Sequence, residues 1–151
     1  DTGPLRKSLR DSGYAVKAWR RFAQGSGRAR PWPQTARDGE SFGFCCLRHP
    51  GSAAALEYAI HAVGSVLPAG TPLFVFGHVR EGMLATASAL PPLFAAVGKM
   101  RGTGESRCLQ AQRTESPCTK LNAEHWLQQT ELDLGGGPRS WITSAGLFAG
   151  G

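Results

Sequence analysis

The sequence lacks the features that would place it in a membrane or in a disulfide-stabilised fold. No apolar run reaches the roughly 18 residues that a bilayer-spanning helix needs, and the longest candidate, residues 52–67, is interrupted by Glu57 and His61. The four cysteines, at positions 45, 46, 108 and 118, lack the paired C-x-x-C spacing of a structural zinc site. No secretory signal pattern is visible. We therefore expect no membrane partner, no metal, and free thiols in a reducing, intracellular compartment.

Grouped catalytic residues are missing as well. No nucleophile, base and orienting group stand together, and neither paired carboxylates nor metal ligands are clustered. Residues 133–137 (DLGGG) imitate the glycine turn of a nucleotide or S-adenosylmethionine site, but a strand pattern follows them where such a site has a helix. A hairpin turn is the favoured interpretation and a cofactor turn the alternative. We expect no catalytic, cofactor-binding or metal-binding residue in this chain.

What is present is enough apolar sequence for one globular domain, with a local excess of positive charge. Hydrophobic residues make up 41% of the 151 residues, and 20 glycines and 10 prolines indicate many turns. Residues 1–40 hold 9 Lys and Arg against 4 Asp and Glu, whereas residues 41–151 hold 8 against 7. A basic surface attracts phosphate backbones, although a merely solubilising surface fits the charge equally well.

The order of apolar patterns predicts an α/β fold that is Rossmann-like, with flanking helices. Strand, helix, strand, helix, strand indicates βαβ crossovers and a mainly parallel sheet, which a C-terminal antiparallel hairpin follows at the sheet edge. We assign residues 1–40 to a basic helix, strand and loop segment of the same domain, and residues 41–151 to the α/β domain. The predicted helices are 5–10, 52–67, a segment from Met83, and 121–126; the predicted strands are 14–19, 41–47, 72–76, 99–113, 132–134 and 141–143.

Two segments are candidates for contact with an anionic ligand. Residues 77–82 (GHVREG) follow a strand, so their backbone amides could cradle an anion, but a structural turn is favoured because the spacing matches no phosphate motif. The loop of residues 24–40 and the residues before it combine cations for phosphate with indoles on which a base can stack. Trp19 is better explained as core, whereas Trp32 between two prolines is harder to bury. The predicted RNA contacts are Arg20, Arg21, Arg28, Arg30, Trp32 and Arg37.

Several stretches resemble the N-terminal domain of the bacterial ribosomal RNA guanine-N2 methyltransferases. The likeness is carried by residues 68–77 (PAGTPLFVFG), 81–82 (EG) and 92–94 (PLF). It extends over most of the chain after about Gly13. Further matching positions are Trp19, Arg21, residues 31–33 (PWP), 47–50 (LRHP), Trp126, 132–134 and 146–148 (GLF).

The resemblance implies two class I methyltransferase-like folds in one polypeptide, the first degenerate and the second binding S-adenosylmethionine for transfer to a guanine exocyclic amine. By that likeness, residues 146–148 lead into a catalytic domain beyond residue 151, and the sheet here is incomplete at its N-terminus. The implied role is a non-catalytic substrate-recognition or scaffold half, whose partners are ribosomal RNA or a ribosomal subunit and the catalytic domain, in the cytoplasm or an organelle with its own ribosomes. The alternative is a non-enzymatic structural or assembly protein of the ribosome.

Overall fold

A computed structural model describes residues 3–18, 41–120, 123–133 and 135–144, and the chain divides into two compact units, Asp1–Gln34 and Thr35–Gly151. In the first unit, helix α1 spans Gly3–Asp11, which confirms the predicted helix. Residues 14–18 have no regular secondary structure, so the strand predicted there is wrong over its described part. A strand needs a neighbour to satisfy its backbone, and no described strand pairs with this segment.

In the second unit, helix α2 spans Ala53–Gly64, as the 3.6-residue apolar period predicts. The hydroxyl of Ser52 accepts a hydrogen bond from the backbone N–H of Ala55 at 3.3 Å, and thereby caps the first turn. The buried face of α2 includes Leu56, Ile60 and Val63. This face fixes how the helix packs on the sheet.

The main sheet has four strands in the order β1, β2, β4, β3. Strands β1 and β2 are parallel and are joined through α2, while β4 runs antiparallel to both of its neighbours. The α/β fold is confirmed, and the sheet is mixed, because antiparallel pairing replaces the successive crossovers after β2. The strands are β1 (Cys45–Arg48), β2 (Pro72–His78), β3 (Phe94–Ala96) and β4 (Ser106–Arg113).

The core lies between α2 and one face of this sheet. Leu73 and Val75 of β2 are fully buried, and their partners in the β4 register, Ala111 and Leu109, are buried beside them. The alternate residues of β2 are only half-buried. Side chains of a strand point alternately to its two faces, so the apolar run that predicted β2 as a fully buried strand is buried mainly on one side.

The segment after β2 differs from the predicted second helix. Two single 3-10 turns, Val79–Glu81 and Met83–Ala85, precede the short helix α3, Thr86–Ala89. Gly82 separates the turns with a φ of 89°, a left-handed conformation that ends a helix. The strand predicted over residues 99–113 begins only at β4, and part of the predicted helix packing is strand β3.

The C-terminal hairpin is confirmed. Strands β5 (Leu127–Asp133) and β6 (Pro138–Ser144) pair antiparallel, but they form a sheet of their own and not an edge of the main sheet. Gly135 and Gly137 take positive φ in the connecting turn, and the Asp133 carboxylate accepts a hydrogen bond from the N–H of Gly135 at 2.9 Å. The glycines of residues 133–137 therefore make a hairpin turn, as favoured over the cofactor turn.

Candidate functional site

A cleft of about 440 Å³ opens at the end of the main sheet where the parallel strands β1 and β2 finish. The crevice beyond the carboxyl ends of parallel strands is where α/β folds bind ligands, and this volume is in the range of small-molecule pockets. The cleft is lined by Arg48, Phe76, Gly77, His78, Glu81, Gly102, Thr103, Ser106, Arg107 and Cys108.

Three of these side chains form a row across three strands. Arg48 is the register partner of Phe76 in the parallel pair, and Phe76 is the partner of Cys108 in the antiparallel pair. Register partners in neighbouring strands project to the same face of a sheet. The row therefore sets a half-exposed guanidinium beside a half-buried aromatic ring.

The turn after β2 is held by its own hydrogen bonds. One Glu81 oxygen accepts from the Arg48 guanidinium at 2.5 Å, and the other accepts from the backbone N–H of His78 at 2.9 Å. That backbone hydrogen bond, with a smaller effect from Arg48, lowers the pKa of Glu81 below its usual value. The backbone N–H of Arg80 donates a hydrogen bond to Nδ1 of His78, and the backbone N–H groups of Val79 and Gly82 donate to backbone carbonyls. These four amides are not available to cradle an anion, so residues 77–82 form the structural turn favoured from sequence.

The mouth of the cleft carries more positive than negative charge. Glu105 pairs with His78 at 2.8 Å and with Arg80 at 3.2 Å. Arg107 donates to the carbonyls of Gly104 and Ser106, at 2.6 and 2.8 Å, and pairs with no carboxylate among the described residues. The positive side of the mouth therefore includes a guanidinium whose charge is not neutralised by a described partner.

A buried histidine fills the space between the ends of β1 and β2. His49 is 2% exposed, its backbone N–H donates to the Phe76 carbonyl at 2.8 Å, and its Nδ1 accepts from the N–H of Gly51 at 3.1 Å. A Cβ at Gly77 would lie 2.8 Å from the Cβ of His49. Nucleotide-binding α/β folds bring glycine backbone close to the ligand after the first strand. Here the β1–α2 connection begins with the buried His49 and with Pro50, and its glycine, Gly51, comes only after them.

No family model and no curated protein matches the sequence. Among solved structures, the T. thermophilus 16S rRNA N2 G1207 methyltransferase (RsmC), in complex with AdoMet and guanosine, matches with a TM-score of 0.60 and 18% sequence identity. The match covers 97% of this chain, and the chain spans 36% of that protein. The chain has a methyltransferase-like α/β fold. At this identity the likeness shows the fold alone.

The residues predicted from sequence to contact RNA, Arg20, Arg21, Arg28, Arg30, Trp32 and Arg37, lie outside the described residues, as does Trp19. Their role stays a prediction. Sequence reasoning singled out residues 77–82, three of which line the cleft, but it missed Arg48, Phe76 and Arg107. Arg48 could have been predicted as a site residue, because it directly follows a predicted strand and the carboxyl ends of parallel strands meet at one edge of a sheet. Arg107 could not, because β4 was expected to run the other way.

A second group of polar side chains, beside α2, is structural. The Cys118 thiol donates to the His61 carbonyl at 3.2 Å, and burial raises its pKa. The Trp126 ring lies 5.4 Å from the His61 ring, and Lys120 pairs with Glu57. The protonated thiol and these contacts hold Cys118, Lys120 and Trp126 against helix α2.

The described residues offer no metal site and no membrane span. No group of three or more histidine, cysteine, aspartate or glutamate side chains among them is placed to hold a metal ion. No helix in the described part of the chain is long and apolar enough to cross a membrane. All four cysteines are free thiols, and burial raises the pKa of Cys45 to about 12.

Two histidines, the buried His49 and the half-buried His61, predict how stability depends on pH. Burial lowers the pKa of His49, and burial followed by the charge of Lys120 lowers the pKa of His61. The unfolded chain therefore binds protons before the folded one does, and the free energy of unfolding should fall as the pH drops below about 6.5. Urea denaturation at pH 7.5, 6.5 and 5.5 measures this. His49→Gln and His61→Gln should each flatten the dependence, and an unchanged slope in both variants would contradict the assignment.

Proposed function

We propose that this chain is the substrate-recognition or scaffold half of an S-adenosylmethionine-dependent ribosomal RNA guanine-N2 methyltransferase, N-terminal to the domain that performs the chemistry. The observation that carries the proposal is the fold match to RsmC, which takes in 97% of this chain but only 36% of that protein. A module of this size leaves room in such a protein for a second domain. S-adenosylmethionine would then belong to that partner domain.

The residues at the carboxyl ends of β1 and β2 support the proposal that this chain binds no cofactor. Where a cofactor-binding fold has a glycine turn after its first strand, this chain has Arg48, His49 and Pro50. His49 is buried between the strand ends, and Glu81 is already engaged by Arg48 and the backbone of His78. A cofactor entering between the strand ends would have to displace these contacts.

Two observations support recognition of RNA: the positive charge of the chain, and the resemblance of residues 68–77 to the methyltransferase N-terminal domain. In the fold, these residues form the segment before β2 and most of that strand. The positive surplus of residues 1–40 supplies the phosphate-binding cations, with Arg20, Arg21, Arg28, Arg30, Trp32 and Arg37 as the proposed contacts. The partner is ribosomal RNA or a ribosomal subunit, in the cytoplasm or an organelle that has ribosomes.

Calorimetric titration with S-adenosylmethionine tests the non-catalytic assignment. We expect no saturable heat up to about 1 mM ligand, a concentration at which even a weak site of millimolar affinity fills by half. Circular dichroism of the same preparation checks that the protein is folded, and a parallel titration with a ribosomal RNA fragment should show binding. Saturable binding of S-adenosylmethionine would overturn the assignment and favour a chain that carries its own cofactor.

The alternative function, a non-enzymatic ribosome-associated protein, shares the fold and the RNA contact. Sequencing the gene past Gly151 distinguishes the two. A downstream glycine-rich S-adenosylmethionine turn with an Asn-Pro-Pro motif would favour the enzyme, and a gene without them would favour the assembly protein.

A further inference from the structure

The cleft at the ends of β1, β2 and β4 has a charge that suits an anion. Arg48, Arg107 and Glu81 line the cleft, and Arg80 pairs with Glu105 beside it. The surplus is one positive charge when the arginines and glutamates alone are counted. A surplus of positive charge in a concave site attracts a phosphate-bearing ligand more strongly than the same charge on a flat surface, because the low-dielectric walls of the site focus the electric field.

The two lining arginines are placed to respond to such a ligand. Arg48 is held by Glu81 at 2.5 Å, but both side chains are partly exposed, at 47% and 28%, and exposed ion pairs are weak. Its guanidinium can therefore turn from the carboxylate toward a phosphate, or bridge the two. In the described part of the chain, Nη1 of Arg107 donates hydrogen bonds to backbone carbonyls only, so a phosphate would be the first anionic partner of this guanidinium.

The rest of the lining suits a nucleotide better than a simple anion. Phe76 lies between Arg48 and Cys108 in the cross-strand row and offers an aromatic ring to the cleft. Thr103 adds a hydroxyl to the lining. Proteins recognise single-stranded RNA by stacking unpaired bases on aromatic rings while arginines hold the backbone. A paired base would first have to be unpaired and unstacked, at a cost in free energy, to reach a ring inside a cleft, so an unpaired base is favoured.

From these observations we infer that the cleft binds one unpaired nucleotide of RNA, with its phosphate on Arg48 and Arg107 and its base against Phe76. The inference rests on the proposed function for the identity of the nucleic acid. It adds a second contact surface, built on the strands, to the basic segment of residues 1–40. In this cleft Glu81 competes with the RNA phosphate for Arg48.

Fluorescence anisotropy with a labelled single-stranded ribosomal RNA oligonucleotide tests the cleft on the full chain. Arg48→Gln and Arg107→Gln should each weaken binding about 3- to 10-fold and reduce the slope of log K against log salt by about 0.7. Phe76→Leu should weaken binding and leave the salt slope unchanged, because stacking releases no counterions. Glu81→Gln should strengthen binding, since the amide can still accept from the His78 N–H but no longer attracts Arg48 as a charge.

The controls separate the possible failures. Arg139→Gln removes an exposed charge on the hairpin and should leave affinity close to wild type; circular dichroism checks that every variant is folded. If the wild-type chain binds no RNA, the proposed function itself fails. If the wild type binds and all four cleft variants match it, the cleft assignment is overturned while the proposed function stands. Equal affinity for a duplex of the same sequence would likewise overturn the unpaired nucleotide.

Discussion

Replacing Arg113 with methionine should lower the free energy of unfolding by about 3–5 kcal/mol. Arg113 ends β4 and is only 9% exposed. Its guanidinium lies 5.9 Å from the centre of the Phe94 ring and pairs with no carboxylate among the described residues. Four backbone carbonyls accept its hydrogen bonds instead: those of Gly64, Leu93, Thr114 and Ser116, at 3.0, 3.3, 2.5 and 2.9 Å.

The expected loss is large because this single side chain joins the end of α2 to the loop before β3 and the segment after β4. Methionine has a similar length but donates no hydrogen bond, so it would leave carbonyls unsatisfied in a site that water reaches poorly. A domain of this size has about 5–15 kcal/mol of stability in total. The expected loss is therefore a substantial fraction of the total stability.

Urea denaturation followed by circular dichroism gives the difference between wild type and Arg113→Met. Arg113→Lys keeps the charge but loses the planar fork of donors, and should fall between the two. Arg139→Met, at an exposed position on the hairpin, should change stability by less than about 0.5 kcal/mol. A loss below about 1 kcal/mol in Arg113→Met would show that the carbonyls find other partners.

The second large effect concerns the basic segment. Changing Arg28, Arg30 and Arg37 together to glutamine should weaken the affinity for single-stranded ribosomal RNA by about 10- to 100-fold. If each arginine neutralises one phosphate, the slope of log K against log salt should become shallower by about 2. Filter binding or anisotropy at 50, 100 and 200 mM salt, roughly the range over which such slopes are resolved, measures both quantities.

A matched triple variant shows whether position or total charge is responsible. Lys99, Lys120 and Arg139 are exposed and lie outside residues 1–40 and outside the cleft lining. Changing them to glutamine removes the same formal charge. Equal losses in the two triple variants would mean that RNA responds only to net charge, and would remove the loop from the proposed interface.

Local pattern predicted the elements that carry a strong period of their own. Helix α2 has an uninterrupted apolar face and a serine at its cap, so its position follows from the residues between Ser52 and Gly64. The hairpin follows from two alternating segments around a glycine turn. Both depend on interactions between residues close in sequence, which is why sequence reasoning found them.

Elements that depend on distant partners were not predictable in the same way. The direction of β4 is decided by its pairing with β2 and β3, so its apolar pattern is compatible with either orientation. The segment after β2 has the composition of a helix, but the left-handed Gly82 divides it into short turns. From sequence, Arg113 is indistinguishable from an exposed charge at the end of a strand. Its buried role depends on carbonyl partners up to 49 positions away in the chain.

The same distinction applies to the candidate site. Arg48 and Phe76 stand 28 positions apart in sequence and become neighbours only through the parallel register of β1 and β2. Sequence alone favoured the loop of residues 24–40, where cations and indoles are adjacent in the chain. Residues 77–82 were also considered from sequence, but the row of Arg48, Phe76 and Cys108 became visible only once the strands were aligned.

The central proposal is that this chain is an RNA-recognition half that binds no cofactor. The most direct test measures the affinity of the wild-type chain for a ribosomal RNA fragment across a salt series, without S-adenosylmethionine. We predict saturable binding whose log K falls linearly with log salt, with a slope of about −3 or steeper, as several phosphate contacts require. Binding that is absent, or that does not change with salt, would contradict it.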